Sequence, residues 1–432
     1  MAHRFFSRTI VSCFSSSASC HGWWRRRTMY TTAFILAMLV LFSSCNGNQK
    51  GKVVVGRLHP TEENIPVITG MRYVLREDTS GAQIKLVDEK NFFKAEVFSI
   101  GAYEGEQHEM LGNISDIAMG TNTLLYIDGE NGEARVYDQL GALKQVVGAP
   151  SVAPGEFSYL EAVAITRDDS KFFVADQSGN RIQIFQRQGN AYEFFDTFSM
   201  PHDFLASDIC VIKDHLYLHG YSESLDHVIH KVTHAGKYIL SFGQPYLSDV
   251  PFIKSIISDD GSLVCSETSG TVLYANQTVP ILKAYDEVGT LRWQVKFADH
   301  VQMYLPEGKN EGGRTSLAYP PQLPGESSYL FLIADPVSNS FIISHTTLGP
   351  DEEKTAELVR HYFSIPVESG HGTYLGKHYL GVEEWGRFRH PSPDQHPPLL
   401  RIASLNKNYV YAIRNSPFPV IGIFKRELLF LQ

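Results

Sequence analysis

The sequence predicts an all-β protein, a six-bladed β-propeller with four-stranded antiparallel blades. Three observations carry that expectation: short apolar or alternating runs bounded by turn residues, the lack of a sustained helical period, and a repeat of about 46 residues. The runs include "TLLYID", "ARVYD", "KFFVAD", "RIQIF", "HLYLHG", "KYILSF", "SLVCSE", "LRWQVKF", "YLFLIAD" and "YVYAI". The repeat shows in "SDIAM", "EAVAI", "SDICV" and "KSIIS", where Ile117, Val163, Ile209 and Ile256 are spaced by 46, 46 and 47. Each run is followed by a turn and a second strand, then by a third and fourth, the pattern of a propeller blade.

Blade number follows from length. From about residue 66 to 424, setting aside irregular segments at 298–327 and 365–400, 293 residues remain, roughly six blades of that period. A seventh is possible if residues 371–400 hide another unit. The last runs, "RIASL", "YVYAI" and "VIGIF", need an outer partner, which "QIKLV" with "AEVFSI" near the N-terminus can supply. Such closure hides sheet edges that would otherwise be free.

The N-terminal part reads as an address. Arg25, Arg26 and Arg27 precede "AFILAMLVLF", an apolar run of ten residues. A spanning helix needs about 20 such residues, so the run has the length of a signal-peptide core. It ends in "LFSSC", which resembles the lipobox of bacterial lipoproteins, with Cys45 as the lipidated residue and Phe42 standing where Leu is usual. Residues 1–45 are thus expected to be a lipoprotein signal peptide, 46–65 a polar tether, and 66–432 the propeller domain. Acyl chains on Cys45 would anchor the protein in the envelope of a diderm bacterium, at the outer membrane or cell surface. Of the five cysteines, Cys210 and Cys265 lie in the propeller, each within an apolar run, and are expected as buried free thiols, with one bridge as the alternative.

"GEFSYLEAVAITRDDSKFFVADQSGNRIQIF" (155–185) resembles the NHL repeat. Gly155, Phe157, Val174, Ala175, Asp176, Asn180, Arg181, Ile182, Gln183 and Phe185 carry the likeness, while Leu160 and Ala162 depart from the family's Pro and Gly. Overall the chain is similar to TolB-like six-bladed propeller lipoproteins of Bacteroidetes type, a family without an agreed activity. The resemblance implies that Asp176 and Arg181 are architecture, an acid capping a turn and an arginine pairing with it.

Charge narrows the partners. Residues 1–45 hold five Arg and no acid, so without them Lys+Arg falls from 38 to 33 against 47 acids, a net charge near −14. Such a body disfavours nucleic acid and anionic lipid surfaces, and leaves membrane contact to the anchor. Read in register, inner strands begin with Asp116, Glu161, Asp208 and Lys254, and second strands end with Asp128, Asp176, His219, Glu267 and Asp335. Antiparallel order would gather these at one mouth of the central channel. An oxygen-rich mouth suits Ca²⁺ or another divalent cation, with Asp116 and Asp208 the first candidates, although no cofactor is predicted outright. His215, His219, His227 and His230 lack metal-ligand spacing on one strand and are expected at solvated positions. Trp385, Arg387 and Arg389, in the second irregular segment, are candidate anchors for a ligand.

Two functions are compatible with these residues. One is an envelope-anchored binding or scaffold module for a protein, peptide or glycan. The other is a metal-dependent propeller hydrolase or lactonase that uses the acidic mouth to polarise a carbonyl. A purely structural role would instead call for a broad exposed apolar patch.

Overall fold

The computed structural model describes residues 67–68, 96–106, 109–200, 203–246, 251–276, 281–297, 307–309, 315–317, 327–348, 355–370, 372–384, 387–389, 401–414 and 419–429. Residues 1–65, expected as a signal peptide ending at Cys45 and a tether, lie outside the described residues. Among those described, no helix is long and apolar enough to cross a membrane.

Six antiparallel sheets form the blades of a propeller. Blade 1 runs from inner to outer strand as Arg401–Leu405, Tyr409–Arg414, Val420–Lys425 and Glu96–Ile100. Blade 2 is Ile114–Met119, Thr123–Asp128, Glu133–Asp138 and Leu143–Val147. Blade 3 is Leu160–Ile165, Lys171–Asp176, Arg181–Gln188 and Ala191–Ser199. Blade 4 is Asp208–Ile212, His215–Ser222, His227–Thr233 and Tyr238–Phe242. Blade 5 is Gly261–Ser266, Thr271–Asn276, Ile281–Asp286 and Leu291–Phe297, with Val67–Ile68 added in parallel at its outer edge. Blade 6 is Ser327–Asp335, Ser340–Leu348, Thr355–Pro366 and Thr373–Glu384, extended by Arg387–Arg389. Blade 1 closes through the "AEVFSI" run, since Glu96–Ile100 pairs antiparallel with Val420–Lys425, while "QIKLV" lies outside the described residues. Separately, Glu307–Lys309 and Thr315–Leu317 pair as a small hairpin.

The core is six apolar layers, one between each pair of neighbouring blades. This explains why the second strands read as continuous apolar runs rather than alternating ones. Thr123–Asp128 is buried at every position because both faces of its blade are covered. Between blades 2 and 3, Phe157, Phe172 and Phe185 are buried together, with Phe172 and Phe185 stacked at 4.6 Å.

The NHL-like stretch turns out to be a set of interlocking side-chain bonds. Gly155, at φ +82, donates its N–H to Gln183 Oε1 at 2.7 Å, and Gln183 Nε2 donates to the Glu156 carbonyl at 2.6 Å. A left-handed backbone there favours glycine. Arg181 donates Nε and Nη2 to Asp176 Oδ2 at 3.1 and 2.9 Å, and Nη2 also reaches the Glu156 carbonyl at 3.0 Å. Third strand, second strand and the loop before the blade are thereby tied at one corner.

Blade 5 departs from the expected register. "KSIIS" lies not in an inner strand but in the helix Pro251–Asp259, and the inner strand is Gly261–Ser266. The pairs Phe252/Ile256 and Ile253/Ile257 have helical i,i+4 spacing, and Pro251 sits at the helix start, where its missing N–H costs nothing. The repeat partner of Ile209 is therefore Leu263, 54 positions on, rather than Ile256. The second irregular segment is also more regular than expected, since Thr373–Glu384 and Arg387–Arg389 are strands of blade 6.

The cysteines follow from that shift. Cys210 and Cys265 stand on adjacent inner strands and form a disulfide with Cα atoms 5.5 Å apart, so the expectation of free thiols is corrected. The register expected from the 46-residue period would put Cys265 on a second strand, out of reach of Cys210.

Candidate functional site

The central channel has two ends. At one, inner strands begin and second strands end; at the other, inner strands turn into second strands.

At the first end, acids hold the ring together. Asp116 Oδ1 accepts the N–H of Ile117 at 2.8 Å, and Oδ2 accepts that of Val163 in blade 3 at 3.0 Å. Asp208 repeats the arrangement toward blade 5, accepting Ile209 N at 2.8 Å, Leu263 N at 2.7 Å and Ser262 Oγ at 3.1 Å. Glu161, half-buried, falls where the ladder of blade 3 shifts between Leu160 and Ala162. Asp128 and Asp176 are fully buried turn caps. Asp176 Oδ1 accepts Tyr159 N at 3.0 Å, while its other oxygen takes Arg181. In blade 4 the residue at this position is Ser222, not His219, because a ladder shift separates the two.

Several candidates lie elsewhere. Glu267 directly follows the inner strand of blade 5, and Asp335 ends the inner strand of blade 6, so both belong to the opposite end of the channel. Asp335 accepts the N–H of Val337 at 2.9 Å and is paired with Arg426. Burial would raise its pKa, but hydrogen bonds from Arg426 and Ser338 prevail and lower it. Lys254 is on the helix preceding blade 5, with Nζ 2.5 Å from Asp226 Oδ1. Arg387 and Arg389 are on the outermost strand of blade 6, and Trp385 lies outside the described residues.

The histidines correct another expectation, since His219 and His230 are fully buried. His230 Nε2 donates to the Gly220 carbonyl at 2.8 Å, and its ring stacks on Phe204 at 3.9 Å. His219 Nδ1 lies 2.6 Å from Ser207 Oγ, and burial, then the charge of His230, pushes its pKa down to about 3. It is a neutral core residue. Gly261 is packed against it, since a Cβ there would stand 2.5 Å from Nε2.

Burial pushes the Asp208 carboxyl up to about 6, against its hydrogen bonds from Leu263, Ile209 and Ser262, and the charge of Glu161 pushes the same way. A folded-state value above the unfolded one means the native state holds the proton more tightly. The stability due to this group therefore falls as pH rises from about 4 to about 6 and is level above that. Between pH 5 and pH 7.5 the native chain should lose about 1.4 kcal/mol more stability than Asp208→Asn, read from urea melts at the two pH values. An identical difference in both proteins would show that Asp208 is not the titrating group.

At the second end the chain presents a polar cleft of about 530 Å³, lined by Thr121, Arg167, Lys171, Lys213, Asp214 and Glu267, with Asp168 and His234 on its walls. Thr121, Arg167, Lys213 and Glu267 are the same repeat position in blades 2 to 5, each four residues after Ile117, Val163, Ile209 and Leu263. The backbone beneath them is firmly held. Thr121 donates both its N–H and its hydroxyl to the Arg167 carbonyl. Ser170 N donates to Thr166 Oγ1 and to Asp168 Oδ1, both at 3.1 Å. Hydrogen bonds from Thr166 and Ser170 lower the pKa of Asp168. Buried Asp169, at φ +59, accepts Asn122 N at 2.9 Å, and its carbonyl takes the Tyr192 hydroxyl at 2.7 Å.

The side chains above that frame are less constrained. Arg167 Nη1 is 4.0 Å from Glu267 Oε2, a contact from blade 3 to blade 5 past blade 4. Lys213 Nζ is 2.9 Å from Glu287 Oε1, and Lys171 Nζ lies 5.4 Å from the Phe195 ring. Arg167, Lys171, Lys213, Asp214 and His234 were not among the sequence candidates. For Arg167 and Lys213 the signal was the 46-residue spacing with Thr121, which three different residue types obscure.

No protein-family model matches the chain, and no curated protein matches it. Among solved structures it is similar to a member of the DUF4221 family from Bacteroides vulgatus, at 10% identity and a TM-score of 0.46, covering 76% of this chain and 97% of that one. A protein from Bacteroides fragilis matches at 11% identity and a TM-score of 0.47, over 76% and 94%. The WD40 propeller domain of Doa1 matches at 10% identity and 0.38, over 77% and 97%. At these identities and scores, the likenesses carry nothing about ligand or activity.

Proposed function

We propose that this chain is an exported, envelope-anchored propeller that acts as a binding or scaffold module, taking a protein, peptide or glycan at the cleft where inner strands turn into second strands. The observation that carries this reading is the convergence of one repeat position from four successive blades, on a rigid backbone, with Arg167 and Lys213 side chains 63% and 62% exposed. Propellers present such turn clusters as rigid platforms, and rigid elements lose little entropy on binding. The export reading rests on the N-terminal pattern of residues 1–45, and the Cys210–Cys265 bridge suits an oxidising compartment. The NHL-like bonding of blade 3 fits a TolB-like relationship without adding an activity to it.

The hydrolase alternative draws less support. Asp116 and Asp208, its first metal candidates, each use one carboxylate oxygen on the next residue's N–H and the other on an N–H of the following blade. Among the described residues no group of three or more His, Cys, Asp or Glu is placed to hold a metal. Peptide and glycan arrays probed with the whole protein should give binding that Arg167→Ala with Lys213→Ala removes and Asp116→Asn leaves intact. Millimolar calcium should leave the melting temperature unchanged. A stoichiometric divalent ion lost on changing Asp116 and Asp208 would instead establish the metal-dependent reading.

A further inference from the structure

The charges in the cleft are unequally committed. Asp168 accepts the N–H of Ser170 at 3.1 Å. Lys213 is held by Glu287 at 2.9 Å. Arg167 and Lys171, on the two sides of the same turn, carry no side-chain hydrogen bond among the described residues. Arg167 has one ionic contact, to Glu267 at 4.0 Å, and Lys171 rests near the Phe195 ring at 5.4 Å. His234 Nε2, on the same wall, is buried without a hydrogen-bond partner among the described residues.

The Arg167 side chain stands 63% exposed above that firmly held backbone. The planar guanidinium has five N–H donors in a fork that matches a carboxylate with two parallel bonds. Glu267 does not make those bonds. At 4.0 Å it neutralises Arg167 only loosely, and such exposed pairs are worth little. A carboxylate that can approach Arg167 end-on gains both bonds and displaces Glu267 at small cost, while Lys171 adds a second cation a turn away. Phosphate would suit the same cations, but the cleft also holds Asp168, Asp214 and Glu267, which disfavour a doubly charged group more than a single carboxylate.

We infer that the cleft takes a carboxylate-bearing peptide segment, whose carboxylate binds Arg167 and Lys171 in exchange for the Arg167–Glu267 contact. This deepens the binding reading above and rests on it. Glu267 then acts as a stand-in for the ligand and keeps the mouth neutral when it is empty. The carboxylate comes either from a chain end or from an Asp or Glu side chain, and both share the same fork geometry.

The test uses the whole protein and two synthetic hexapeptide pools of matched composition, one with free C-termini and one amidated, each prepared with and without Asp and Glu. Peptides retained on the immobilised protein are identified by mass spectrometry, and affinities are then measured by calorimetry. A chain-end ligand is retained only from the free-acid pools, and an acidic side chain only from the pools containing Asp and Glu. In either case Arg167→Ala should weaken binding by about tenfold or more. Glu267→Gln, which removes the competitor and keeps the shape, should tighten it by about two- to fivefold. Circular dichroism on both variants checks that the fold is intact. Equal retention from all pools, lost in Arg167→Ala, would overturn the carboxylate inference while leaving the binding site in place. Retention unaffected by Arg167→Ala, or none from any pool, would overturn the inference and remove its support for the cleft as a peptide site.

Discussion

Removing the Cys210–Cys265 bridge, by reduction or by replacing both residues with alanine, is expected to cost about 4 kcal/mol of folding stability. The bridge closes 55 residues of chain, and a loop of that length has much freedom to regain when the bond is absent. Its position adds a structural argument. Cys210 and Cys265 follow the Asp208–Leu263 contact along the inner strands of blades 4 and 5. At the junction of blades 2 and 3 the equivalent positions are Ala118 and Ile165, which pack in one apolar cluster. The covalent bond thus reinforces the apolar packing at the junction where the helix Pro251–Asp259 interrupts the repeat. Urea denaturation of native, reduced and Cys210→Ala/Cys265→Ala protein measures the effect. The reduced and alanine forms should agree and both fall below the native form. Equal midpoints for all three would show that the thiols are not bridged in solution, and would remove the support the bridge lends to an oxidising location.

The fold was legible because its information is repeated. Ile117, Val163 and Ile209 keep one period, and the closing strand was recoverable from the unmatched runs at the C-terminus. The period failed where a helix carries apolar residues that also satisfy it. Ile256 stands 47 residues after Ile209, yet it belongs to Pro251–Asp259, and that coincidence sets the expected end of the channel for Glu267 against the observed one. It also separated two cysteines that are in contact. The site was less legible for a different reason. Acids at strand ends serve equally as metal ligands and as turn caps, and only the direction of neighbouring N–H groups distinguishes them. Conversely, Thr121, Arg167, Lys213 and Glu267 share a repeat position but no chemistry, so no motif marks them. Repeat register, rather than residue type, was the signal for the cleft.

The same distinction sets the second large expected effect. Asp128→Ala should destabilise the protein by on the order of 4 kcal/mol, enough to threaten folding at 37 °C. Asp128 is fully buried. Its Oδ2 accepts Gly112 N at 2.8 Å, the Tyr126 hydroxyl at 2.7 Å and Asn131 Nδ2 at 3.0 Å. Its Oδ1 accepts Glu130 N and Asn131 N, both at 3.0 Å. Alanine leaves five donors without their acceptor, the fully buried Tyr126 hydroxyl among them, and an unpaired buried donor costs more than the net worth of its bond. Asp128→Asn should be intermediate, because the amide oxygen keeps one set of donors while its NH₂ opposes the other. Arg167→Ala and Lys213→Ala, which remove exposed side chains and leave their backbone bonds intact, should stay within about 0.5 kcal/mol of the native protein. Thermal and urea melts of the four variants give the comparison directly. If Asp128→Ala were as stable as the native chain, the acids at the first end would be free for another task, and the reading of that end as architecture would fail. If Arg167→Ala proved as damaging as Asp128→Ala, Arg167 would be a structural residue, and the cleft would lose its principal ligand-binding group.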